Sequence, residues 1–317
     1  WSSKKNSEKA TAKAKCTVNK NITLYAVQKK AVQLTFHRCD GSTWQKTTLA
    51  KGSSYSLPGV RDAEGYTFMG WSTKPMQSVS PQYEAEEKIT VNGNVDLYAV
   101  VFNRTTETDL TEDQLPQVDI YKYKQVIFVG DSRTEFMENV LTGMGESATK
   151  NVKFVCSAGK GLDWFTTTGW AQLYSIVQHD SNSILSKKTA VIFNFGVNDL
   201  SKSADYAEYY NWIAPQLKSK GCELYFMSVN PVNRLMLPNA GRADRSEAAV
   251  RSFNQYMKAN LSSAYTYIDM YSYLKSTGYS FASDHYGTGT VDDGLHYTTR
   301  TYKRIFAKCM DSLRVPA

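Results

Sequence analysis

Gln125-Val126-Ile127-Phe128-Val129-Gly130-Asp131-Ser132-Arg133 is the stretch on which the reading of this chain turns. Residues 125–129 make a short apolar strand, and Gly130 then supplies the backbone freedom for a sharp turn that presents the Ser132 hydroxyl. The pattern continues downstream. Apolar segments at 153–156, 190–195, 223–228 and 265–268 alternate with longer amphipathic stretches at 204–219 and 243–261. The first of these stretches carries Trp212, Ile213 and Leu217 on one helical face. Such alternation predicts an α/β fold, a three-layer sandwich around a mostly parallel sheet. Active sites of such sheets lie past the carboxyl ends of the strands, where Ser132 stands. Taken alone, Gly-Asp-Ser also makes an ordinary turn or a helix N-cap.

Two more turns bear on that serine. After the 190–195 segment comes Gly196-Val197-Asn198-Asp199, whose Asn198 amide is placed to donate to a developing oxyanion. Near the C-terminus, Asp292-Asp293-Gly294-Leu295-His296-Tyr297 sets a carboxylate three residues before a histidine, ahead of an expected helix over 298–313. At that spacing Asp293 can accept from one imidazole nitrogen, leaving the other to take the Ser132 proton. The Gly-x-Ser-x-Gly elbow of another serine hydrolase fold is missing, because Thr134 occupies its last position. Metal chemistry is not expected either. The four histidines, His37, His179, His285 and His296, form no H-E-x-x-H or similar ligand pair, and no cofactor is predicted.

In order, "FVGDSR", "SAGKG", "GVND" and "DGLH" resemble the four sequence blocks of the SGNH (GDSL-like) hydrolases, over about residues 121–317. The resemblance implies a flavodoxin-like α/β sandwich and an esterase. It makes Ser132 the nucleophile, His296 the general base and acid, and Asp293 its orienting partner. Asn198 becomes an oxyanion donor, beside the backbone N–H of Ser132 and that of Gly159 or Gly161. Arg133 stands where many members have Leu, so it is a candidate substrate contact, although a solvated side chain is the plainer reading. Trp164, Phe165, Trp170, Tyr286 and Tyr297 are candidates for a sugar platform, against the more common role of aromatics in a core.

The front of the chain is repetitive. Thr17-Val18-Asn19-Lys20-Asn21-Ile22-Thr23-Leu24-Tyr25-Ala26-Val27 returns as Thr90-Val91-Asn92-Gly93-Asn94-Val95-Asp96-Leu97-Tyr98-Ala99-Val100, and each copy is preceded by a Trp-Ser pair, Trp1-Ser2 and Trp71-Ser72. Residues 1–30 therefore read as the tail of one unit and 31–104 as a complete one, with alternating strands near 32–36, 66–71 and 96–101. A natural protein extending further toward its N-terminus is expected. The order "GYTFMGWSTKP", "ITV", "LYAV" resembles the internalin-B-type (Listeria-Bacteroides) repeats, small β-grasp-like modules of bacterial surface proteins. That resemblance implies a secreted or cell-surface location and a possible contact with cell-wall or host glycans. Trp71 and Tyr98 read as a sugar platform or, more simply, as core. The acidic, Pro-containing segment 105–120 is the expected linker to the catalytic domain, 121–317.

Composition agrees with this division. At 317 residues, 42% hydrophobic and 21% charged, the chain has room for a catalytic domain and a smaller module. The net charge of +7 would suit an anionic polymer, but part of the excess lies in the Lys-rich stretch 4–30, so no nucleic-acid partner is expected. The five cysteines form no C-x-x-C pair, and most of them read as small buried residues. No apolar run approaches the ~20 residues of a membrane span, and Trp1-Ser2-Ser3-Lys4-Lys5 lacks a signal-peptide pattern. The resulting expectation is an extracellular serine esterase acting on a small-molecule or glycan ester, foremost a carbohydrate O-acetylesterase. Its rivals are a non-catalytic adhesion protein on the same fold, a lipase or lysophospholipase, and an O-acyltransferase using the same serine.

Overall fold

The computed structural model describes residues 1–7, 9–10, 17, 19–119, 122–179, 188–238, 244–282 and 293–313. Its N-terminal module contains strands β1 (Ala31–His37), β2 (Thr43–Ala50), β3 (Ser53–Ser56), β4 (Tyr66–Ser72), β5 (Lys88–Val91) and β6 (Val95–Asn103). Four form a sheet in the order β2-β1-β6-β4, in which β1 and β6 run parallel, while β3 pairs with β5 antiparallel. Leu34, Phe36, Phe68, Trp71 and Leu97 fill a core of their own. Trp71 is fully buried and its indole N–H donates to the Pro58 carbonyl at 2.8 Å, so this ring packs the module and offers no sugar platform. Tyr98 stacks on His37, with ring centroids 4.5 Å apart. Before β1, Ser2 and Tyr25 exchange two backbone hydrogen bonds of 2.9 and 2.8 Å, the counterpart of the Ser72–Tyr98 pairing of β4 and β6.

Strand β4 departs from the expected alternation, because six of its seven residues are buried. One face carries Phe68 and Trp71 into the module's core. Met69, on the other, joins the core of the C-terminal half together with Val100 and Phe102. A strand covered on both sides has no need of a polar face.

The C-terminal half is built on five parallel strands, β7 (Tyr123–Gly130), β8 (Val152–Cys156), β9 (Lys188–Asn194), β10 (Cys222–Met227) and β11 (Tyr265–Ile268), in the order β11-β10-β9-β7-β8. Its main helices are α1 (Ser132–Met144), α2 (Trp170–His179), α3 (Ser203–Ser219), α4 (Glu247–Asn260), α5 (Met270–Thr277) and α6 (Thr299–Ser312). Successive side chains of β7 point to opposite layers. Ile127 and Val129 meet Ile213 of α3 and Phe253 of α4 on one side. Val126 and Phe128 meet Met137 of α1 and Phe306 of α6 on the other. This is the α/β three-layer sandwich expected from the alternation of segments.

Strand order also determines where a site can form. From β7 the chain continues to β8 on one side and then to β9 on the other. The connections leaving β7 thus diverge and open a crevice beyond the carboxyl ends. The segment before β7 is not a loose tether. Glu107 is buried and accepts hydrogen bonds from Ser280 Oγ at 2.6 Å and Arg304 Nη1 at 3.0 Å, while Leu115 and Val118 enter the core.

Candidate active site

Ser132 is the first residue of α1, immediately past the end of β7. Asp131 caps that helix, its side chain accepting from the Arg133 N–H at 3.0 Å. At the first position of a helix the backbone N–H has no intrahelical acceptor, so that of Ser132 is left for other partners. The second half of the site is a tight turn. Asp293 Oδ1 accepts the N–H groups of Leu295 and His296 at 2.8 and 2.7 Å, which orients its carboxylate. Oδ2 then lies 2.6 Å from His296 Nδ1, and His296 Nε2 lies 2.9 Å from Ser132 Oγ. All three side chains are buried. A carboxylate only accepts, so Nδ1 carries the proton and Nε2 presents its lone pair to the serine hydroxyl. Phe136, one turn along α1, packs its ring 4.6 Å from the imidazole and covers it.

Asn198 follows β9, the neighbour of β7, and its amide orientation is determined by a cation. Arg245 Nη2 donates to Asn198 Oδ1 at 2.8 Å, so the amide nitrogen must face the other way, where it donates to Lys160 O at 2.8 Å. That contact ties the turn after β9 to the one after β8. Gly159 occupies this second turn with φ +68°. Gly161 is held by close approach, since a Cβ there would stand 2.3 Å from Asp199 Oδ2. Asp199 accepts from the Leu162 N–H at 2.9 Å and from Tyr206 Oη at 2.7 Å. Burial pushes the Asp199 carboxyl above its ordinary range, against the pull of these two donors. Burial likewise raises Asp131 to about 6, although the neighbouring Arg133 works in the opposite direction.

Other candidates lie elsewhere. Arg133 is neither solvated nor a substrate contact. Its guanidinium is buried and donates to three backbone carbonyls, Leu295 O at 3.0 Å, Asn230 O at 3.0 Å and Pro231 O at 2.9 Å. A planar five-donor fork suits a cluster of carbonyls, and here it ties the start of α1 to the histidine turn. Tyr297 is buried as well and donates to Pro231 O at 2.5 Å, which removes it from any sugar platform. Phe165 is a core residue, and Trp164 is half-buried with its ring 6.1 Å from that of Phe195. Trp170 packs on Tyr174. Tyr286 lies outside the described residues.

Residues 126–309 match the family of GDSL-like Lipase/Acylhydrolase proteins, and residues 33–100 match the Listeria-Bacteroides repeat domain. A search of curated proteins finds no match. Among solved structures, the chain is similar to a protein from Bacteroides fragilis described as an acylhydrolase, at 16% identity, over 63% of this chain and 92% of that one, with a TM-score of 0.42. It is similar to the C-terminal catalytic domain of peptidoglycan O-acetyltransferase A from Streptococcus pneumoniae at 16% identity, over 60% and 92% of the two chains, with a TM-score of 0.36. An acetylxylan esterase from Geobacillus stearothermophilus is 10% identical over 62% and 96% of the two chains, with a TM-score of 0.38.

Proposed function

Since this chain belongs to the GDSL-like lipase/acylhydrolase family, we propose that it is a serine esterase in which Ser132, His296 and Asp293 react as a unit, exported to the cell surface and acting on an O-acylated carbohydrate. The observation that carries this reading is the relay of 2.6 and 2.9 Å contacts from Asp293 through His296 to Ser132. Ser132 Oγ bonds to the ester carbonyl carbon while His296 Nε2 takes the hydroxyl proton. The tetrahedral oxyanion is met by the Ser132 N–H, at the positive end of α1, by the second hydrogen of the Asn198 amide, and by an N–H of the 157–161 turn. On collapse the C–O bond to the alcohol breaks, and the alcohol leaves with the imidazole proton. Water then repeats the sequence on the acyl-enzyme, and its proton passes through His296 to Ser132.

A groove of about 440 Å³ lies beside Asn198. Asp199, Ser201, Asp244 and Ser252 supply polar atoms along it. Hydroxyl and carboxylate groups along it offer hydrogen-bond partners to a hydroxyl-rich alcohol, which supports the glycan reading.

Turnover of p-nitrophenyl acetate and acetate release from acetylated xylan test the assignment. Ser132→Ala is expected to abolish both, and Asn198→Ala to lower kcat by about 10²–10³-fold with KM nearly unchanged. Wild-type rates in Ser132→Ala would refute the esterase. Loss confined to KM in Asn198→Ala would remove that residue from the oxyanion site.

A further inference from the structure

We infer that the N-terminal module is a working part of the hydrolytic site: Asn233, gripped by Val60 and Asp62 of the module, positions the turn that bears Asp293 and His296. The inference rests on the reading of Ser132, His296 and Asp293 as the reacting set. The backbone N–H of Asn233 donates to Gly294 O at 2.8 Å, on the peptide chain between the carboxylate and the imidazole. The side-chain amide of the same residue points the other way. Its nitrogen has two hydrogens and uses both on the module, one on Val60 O at 3.0 Å and one on Asp62 Oδ1 at 2.9 Å.

Asp62 is itself immobilised. Its side chain is fully buried, Oδ2 accepts from Arg104 Nη2 at 2.7 Å, and Oδ1 also accepts the Phe68 N–H at 3.0 Å. Arg61 adds a second strut, donating through Nη1 to Leu235 O at 2.5 Å. Gly294 meets this loop at close quarters. It has φ +68°, and a Cβ there would stand 2.3 Å from Asn233 O. The flanking residues of the turn are held from the catalytic half, by Ala282 O at Asp293 and by Arg133 at Leu295. Only the middle of the turn leans on the module through Asn233. A displacement there changes the spacing of Asp293, His296 and Ser132 together, and acyl transfer is sensitive to shifts of about 1 Å, which cost up to ~10² in rate.

The test uses the full chain and p-nitrophenyl acetate, with active sites counted by a fluorophosphonate that labels the serine. Asn233→Ala keeps the backbone donor and loses the grip; kcat per labelled site is expected to fall about tenfold with KM within about twofold. Asn233→Asp sets a carboxylate against Asp62 and Val60 O and should fall further. Arg61→Ala, which removes an exposed side chain, should shift kcat in the same direction by a smaller factor. Wild-type kcat per labelled site in the Asn233 variants, or a fall only in the labelled fraction, overturns the proposal. If the Asn233 variants do not fold, wild-type kcat in Arg61→Ala overturns it. Wild-type turnover in Ser132→Ala instead would strike at the underlying esterase reading, whatever Asn233 does.

Discussion

Asp131 shows how a residue beside the nucleophile is read differently in sequence and in space. In the sequence it is one letter of a turn; in the fold it is a buried helix cap whose carboxyl is raised to about 6 from an ordinary 3.8. The folded state therefore holds this proton more tightly than the unfolded chain, and the contribution of Asp131 to stability declines as pH rises from about 4 to about 6. Asn caps a helix as well as Asp and carries no charge to bury. Asp131→Asn is thus expected to raise Tm at pH 7.5, by up to about 3 kcal/mol of stability, and to change it little at pH 4. Equal Tm differences at both pH values in thermal melts would refute this. Ser132, Asn198, Asp293 and His296 were legible as candidates because each stands in a short motif with its chemistry attached. The role of Arg133 was not, since its partners are carbonyls at 230, 231 and 295, and a backbone oxygen leaves no trace in a sequence. Phe136 had a usable signal, four residues after Ser132 and so on the same helical face.

Among the elements, the apolar segments at 125–129, 153–156, 190–195, 223–228 and 265–268 all lie within or overlap strands β7 to β11, and the two amphipathic stretches and the expected C-terminal helix correspond to α3, α4 and α6, although Trp212 lies on the exposed side of α3 while Ile213 and Leu217 are buried. Helix α1 was harder to see. Its buried apolar residues are only Met137 and Leu141, beside three buried polar ones, Ser132, Arg133 and Thr134, so its first turn lacks the apolar stripe that identifies a helix. The turn after β8 depends on steric contact rather than pattern. Gly161→Ala would drive a methyl group into Asp199, forcing apart the turns that carry Gly159 and Asn198. A loss of about 1–3 kcal/mol and a fall in kcat are expected, read by urea unfolding and ester turnover. Unchanged stability and rate would mean that the contact with Asp199 relaxes freely.

For the whole molecule, the module and the sandwich share buried structure. Lys275, on α5, is buried and donates to Met69 O at 2.9 Å; its ammonium lies 2.9 Å from Glu84 of the module and 2.8 Å from Glu247 of α4. Burial disfavours its charge, yet the facing carboxylates outweigh that and hold it protonated. Burial pushes Glu84 upward, with Lys275 pulling it back. Lys275→Met would strand two buried carboxylates, and a loss of about 3–5 kcal/mol is expected in chemical denaturation. A loss under about 1 kcal/mol would show that the junction is wetter or looser than its geometry implies.

What the sequence by itself determined was whatever is local: the period of strands and helices, the repeat, and the four motifs, because backbone geometry and side-chain chemistry act within a few residues. What only the tertiary structure decided was contact between distant segments. The inward turn of Arg133, the burial of Tyr297, the two-sided covering of β4 and the grip of the module on Asn233 all depend on which surfaces meet. That is settled by packing complementarity over the whole chain, and no window of residues encodes it.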